Sequence, residues 1–185
     1  MLLLYARGSK GTQSEPIRGR TRLMKMLFLF DREIRRKFNL EQRIPDEVLP
    51  DFTPYDFGPF SAQVFNDLEF LVDAGFVQVS RPGDAESLPE EGLEYAYWRA
   101  GAGAEDGEEE SFQEEEFALT ELGREFVEAG EAGELTDAQW RVLDEFKKRM
   151  TSTPLRAILR YVYSKYPKMT TQSRIRDEIL ANSQF

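Results

Sequence analysis

Apolar residues recur at helical spacing along "RLMKMLFLFDREIRRKF", residues 22–38, with Leu23, Leu27, Phe30, Ile34 and Phe38 on one face and Met24 and Met26 beside it. The pattern predicts a core-facing helix with Thr21 as its N-cap. Arg22, Lys25, Arg32 and Arg36 fall together on the opposite side, a basic stripe expected to meet solvent. A shorter apolar helix is expected over residues 1–7, and Pro45 and Pro50 argue for irregular chain between them. Gly58-Pro59 then reads as a turn opening a helix over about 60–74, with Pro59 near its first position, Ser61 as an alternative cap and Gly75 as the left-handed residue that ends it. Phe60, Val64, Leu68, Leu71 and Val72 form its apolar face.

The periodicity changes after Gly75. "FVQVS" alternates and predicts a strand, "LEYAYWRA" a second, and the alternating Phe117 and Leu119 a third. Thr120 caps a helix over "ELGREFVEAG", Thr136 caps one from Asp137 to about Met150, and Thr153-Pro154 opens another with Leu155, Ile158, Leu159, Val162 and Tyr163 inward. Thr170 or Thr171 is expected to cap a last short helix through Leu180. The expected fold is mainly α with a small antiparallel β-sheet, an α+β class. Helices feeding a strand pair is the winged-helix order, so residues 1–130 are expected as a winged-helix-like core with a mobile insertion at about 101–112, and residues 131–185 as a C-terminal helical extension packed on it.

Charge sharpens this picture. The net charge is −10 over 185 residues, but residues 1–43 carry 11 basic and 4 acidic side chains, residues 44–140 carry 3 and 26, and residues 141–185 carry 10 and 4. The basic ends and the acidic middle are expected to pair in part with one another. Cysteine and histidine are both absent, which removes disulfides, thiolate nucleophiles, Cys/His zinc sites and imidazole bases. Asp137 with "EFK" at 145–147 is the nearest string to a metal nuclease, yet all of it lies within one predicted helix and Asp137 is two turns away. "GSKGT" lacks the spacing and the preceding strand of a phosphate loop. The reading is therefore non-enzymatic, with no cofactor and no metal. No apolar run is long enough for a membrane span, and a cytoplasmic chain is expected.

The helix before the strands is the one that a winged helix lays in the DNA major groove, and here it carries Asp67, Glu69 and Asp73 and no cation. Carboxylates there would repel phosphate. The expected protein-partner surface is accordingly Tyr55, Phe57, Asp67, Glu69 and Asp73 with Glu108, Glu109 and Glu110 of the acidic tract. If duplex DNA is bound, it must be by Arg20, Arg22, Lys25, Arg32 and Arg36 of the first basic segment and Lys147, Lys148, Arg156 and Arg160 of the tail.

Several segments in one order carry a resemblance: "LLLYA", "PIRGRTRLMKMLFLF", "YDFGPFS", "LEFLVDAGFV", "FALTELG" and "ILRYVYSKYPKMT". Together they resemble the YwgA-like family of small prokaryotic winged-helix proteins and, more distantly, the Panacea antitoxin domain of the SocA type. The resemblance implies a helical, winged-helix-like fold and a role in regulation, toxin neutralisation or mobile-element defence, and brings no catalytic residues. The chain is thus expected to be an antitoxin-like or defence-associated interaction protein whose partner is a basic toxin or defence protein. The alternative is a DNA-binding transcriptional regulator using the basic ends. Oligomeric state, a homodimer included, stays open.

Overall fold

Every residue from Arg22 to Phe30 is buried, so the first long helix has no solvent face. The computed structural model describes residues 15–81, 115–129 and 135–181. The helix expected over 1–7, the strand over 93–100 and the insertion at about 101–112 lie outside these residues. The described order is β1 (Ile17–Arg18), α1 (Arg20–Leu29), a π-helical segment (Phe30–Arg35), a 3-10 turn (Asp46–Val48), β2 (Thr53–Tyr55), β3 (Gly58–Phe60), α2 (Ala62–Asp73), β4 (Val77–Ser80), β5 (Glu116–Leu119), α3 (Glu121–Ala129), α4 (Asp137–Ser152), α5 (Leu155–Lys165), a second 3-10 turn (Pro167–Thr170) and α6 (Arg176–Ala181). The chain is mostly helical with a small antiparallel sheet, as the periodicities require.

β1, β3, α4 and α5 pack around α1, which explains why its polar positions are inside as well as its apolar ones. Half of the basic stripe is therefore interior: Arg22 and Lys25 are buried, whereas Arg32 and Arg36, beyond α1, are exposed. Arg22 is 6% exposed and donates from Nη1 to the carbonyls of Met150 at 2.5 Å and Thr153 at 2.6 Å, at the C-terminal end of α4, where unpaired carbonyls and the helix dipole favour a cation. Lys25, 2% exposed, donates to the Pro59 carbonyl at 2.9 Å. Nor is Thr21 the cap: Gly19 occupies that position, tied to the sheet by its N–H to the Glu115 carbonyl at 2.9 Å.

The helix also does not continue regularly to Phe38. From Phe30 its turns widen, fewer degrees separate successive residues, and the phase slips so that Arg35 is buried while Ile34 is only half-buried. Arg35 donates to the Ile44 carbonyl at 2.7 Å and pairs with Asp46. The same segment presents Glu33 to α5. Its carboxylate accepts from the Tyr166 hydroxyl at 2.8 Å and the Tyr161 hydroxyl at 2.9 Å, with Lys165 Nζ at 3.0 Å. Burial alone would push the Glu33 carboxyl up, but the hydrogen bonds from Tyr166, Lys165 and Tyr161 outweigh it and hold it below its ordinary value of 4.5. A carboxyl depressed on folding stabilises the native state above its unfolded value, and this contribution disappears as pH falls through the lower folded one. Urea midpoints measured between neutral pH and pH 3 should fall less steeply for Glu33→Gln than for the parent chain; parallel curves would show that the clasp contributes nothing.

Gly58-Pro59 does not open a helix. Gly58 to Phe60 pairs with Thr53 to Tyr55 in a hairpin, in the register Thr53↔Phe60, Pro54↔Pro59 and Tyr55↔Gly58, and α2 begins afterwards at Ala62. The hairpin packs on the second 3-10 turn, and Arg174 reaches back to Asp56 at 3.0 Å. Phe52, just before it, meets Phe28 edge-on at 5.3 Å. In the other sheet β5 is central, flanked by β1 and β4, with Val77↔Leu119 and Val79↔Phe117 opposite one another. β1 has too few residues to show an alternation, so no local pattern signals it.

The later helices begin where their caps indicate. Thr136 forms a full capping box with Gln139, and Thr120 Oγ1 accepts the Gly123 N–H at 3.1 Å. The last helix starts later than expected, at Arg176, because Thr170 belongs to the 3-10 turn instead.

Candidate functional site

α2 is half-sunk. Val64 and Leu68 are buried and Leu71 and Val72 partly so, while Gln63, Asn66, Asp67, Glu69, Phe70 and Asp73 are exposed. At 100° per residue Phe70 lies in the middle of the exposed arc, with Asp67 and Asp73 three residues away on either side and Asn66 four residues before it. It is 66% exposed, an aromatic ring in water among carboxylates. Aromatic side chains, Phe among them, are enriched at protein interfaces relative to the rest of the surface. Phe70 was not among the residues expected from the sequence. Its position off the Val64–Leu68–Leu71–Val72 arc is the signal that singles it out.

Tyr55, 46% exposed, stands over Phe60 at 4.9 Å, and Phe60 meets Phe65 of α2 at 5.6 Å. Phe57 is half-buried against the core. These rings join the β2–β3 hairpin to the first turn of α2. Glu108, Glu109 and Glu110 lie outside the described residues. The end of the same acidic tract turns inward: Glu115 bonds Arg20 Nε at 2.7 Å and Arg81 at 3.1 Å, and Glu116 pairs with Arg18. Burial would raise the Glu115 carboxyl, yet its bonds with Arg20 and Arg81 hold it below the ordinary range. The basic first segment and the acidic middle thus neutralise one another at the base of the sheet.

Of the residues expected to touch DNA, three are interior and most of the others have acidic or carbonyl partners. Arg22 and Lys25 are buried, and so is Lys147 on α4, where burial pushes the ammonium down to about 8 against the raising effect of Glu15 and Asp144. Arg20 pairs with Glu115 and lies 5.6 Å over the Phe65 ring. Arg32 lies 3.3 Å from Asp31 and over the Phe28 ring, Arg36 lies 3.6 Å from Glu41, and Arg156 lies 3.8 Å from Glu178. Arg160 turns to the Ile179 carbonyl at 3.5 Å. Lys148 is exposed on α4.

Among the described residues no group of three or more acidic side chains is placed to hold a metal ion, and no helix is long and apolar enough to cross a membrane. Compared with protein-family models, curated proteins and solved structures, the chain matches none.

Proposed function

We propose that the chain is a non-enzymatic interaction protein of winged-helix type that engages a protein partner through the exposed face of α2. The observation that carries this is Phe70, 66% exposed and flanked by Asp67, Glu69 and Asp73. A duplex approaching that face would meet carboxylates and lose solvation without counter-charge, whereas a cationic protein surface with an apolar pocket would satisfy both the ring and its rim. The winged-helix reading is supported by the order of elements: α1, then α2 feeding β4, with β4 and β5 joined by a long connection and β1 adding to the far edge of β5. The family resemblance suggests an antitoxin-like form of this role, in which the acidic face covers a basic surface of a toxin or defence protein in the cytoplasm.

Labelled duplex DNA titrated with the protein at about 50 and about 200 mM salt distinguishes this from a regulator. The expected result is no binding at micromolar protein, together with a co-purifying basic protein that is lost on Phe70→Ala and on Asp67→Lys with Glu69→Lys. Tight DNA binding with a steep salt dependence, weakened by Arg32→Ala with Arg36→Ala, would establish the regulator instead.

A further inference from the structure

A second apolar surface lies beside α2, on α3. Gly123 and Val127 face the core, while Leu122 and Phe126, four residues apart and therefore stacked along one face, are 50% and 56% exposed. Phe126 meets the half-buried Phe76 ring at 4.9 Å. Leu122 reaches to within 4.0 Å of where a side chain on Gly75 would begin. Phe70 stands one turn before this point, its carbonyl accepting the Ala74 N–H at 2.9 Å. The apolar floor therefore begins at the end of α2 and crosses onto α3.

Among the described residues, the exposed charges at the end of α2 and along α3 carry one sign. Asp73, Glu121, Glu125 and Glu128 are exposed around the floor, and the only cation on α3, Arg124, is half-buried and turned towards the Leu119 carbonyl at 3.5 Å. A second copy of the chain would bring the same carboxylates against these, and an anionic membrane or a nucleic acid would be repelled. The rim and floor together suit apolar residues flanked by lysine or arginine on one helical face. We propose that Phe76, Leu122 and Phe126 seat a basic amphipathic helix of the partner, an inference that rests on the α2 reading and adds to it the partner's chemistry.

The test is an anisotropy titration of a fluorophore-labelled, idealised leucine–lysine amphipathic helix against the full chain. Binding should weaken at least about tenfold in Leu122→Ser with Phe126→Ser, and equally when the peptide's leucines become serine with its lysines kept. Both substitutions lie on exposed positions, and circular dichroism of the variant is the control for folding. An unchanged affinity in this variant, with binding lost only in Asp67→Lys with Glu69→Lys, would overturn the α3 seat while leaving the α2 reading intact. Loss in the serine variant with no effect of Asp73→Lys and Glu125→Lys would overturn the charge complementarity on which the proposal stands. So would failure of the parent chain to bind the peptide, as expected if the chain covers its own patch, or a dimer in solution that the serine variant dissociates.

Discussion

Gly123→Ala is expected to destabilise the fold by about 3 kcal/mol, near the upper end of what overpacking costs. A Cβ at this position would lie 2.1 Å from the Phe76 carbonyl oxygen and 3.1 Å from its carbon, and a backbone atom cannot swing aside as a side chain can. The carbonyl is also held: it accepts the Thr120 N–H at 3.0 Å, and Thr120 Oγ1 donates to the Gly75 carbonyl at 2.6 Å. Moving α3 outward would open the junction where β4 and β5 begin to pair. Gly75→Ala makes the comparison informative. That residue sits at φ +75° but has open space, with Leu122 no closer than 4.0 Å, so only the left-handed backbone is strained, at about 1 kcal/mol. Urea unfolding followed by circular dichroism gives both values. If Gly123→Ala proves no worse than Gly75→Ala, α3 is not pressed on β4 as described.

Arg22→Met is the second large effect, again about 3 kcal/mol. Methionine keeps much of the apolar stem, so the loss isolates the guanidinium, whose removal leaves the Met150 and Thr153 carbonyls short of a donor in a buried place. Arg36→Met supplies the contrast: it is 70% exposed and 3.6 Å from Glu41, and its loss should stay within about 0.5 kcal/mol. Equal costs for the two would mean that both arginines lie on a solvated stripe, as helical periodicity alone suggests. The same comparison bears on function, because an arginine committed to the end of α4 cannot contact phosphate.

These two experiments mark where local pattern and tertiary packing part company. Capping chemistry was legible at Thr120 and Thr136, since a hydroxyl before a helix needs only the next three residues to do its work. Gly75 and the apolar arc of α2 were legible for the same reason. The hairpin at Thr53–Phe60 was not, because Gly58-Pro59 suits a helix start as well as a strand, and the choice depends on packing against Pro167–Thr170 far along the chain. The candidate surface divides similarly: Asp67, Glu69 and Asp73 are exposed as their places on the helix imply, whereas the apolar floor needs Phe76 and Phe126 to meet across 50 residues of sequence.

The amino-acid sequence by itself determined the mixed helical and antiparallel class, most helix ends and the acidic character of α2, because each follows from periodicity, capping or charge within a few residues. Only the tertiary structure decided that α1 is enclosed on every side, that Arg22, Lys25 and Lys147 are interior, and that Glu115 joins Arg20 to Arg81. Whether a long cationic side chain meets water or a buried carbonyl depends on what packs opposite it, and that neighbour can lie more than a hundred residues away.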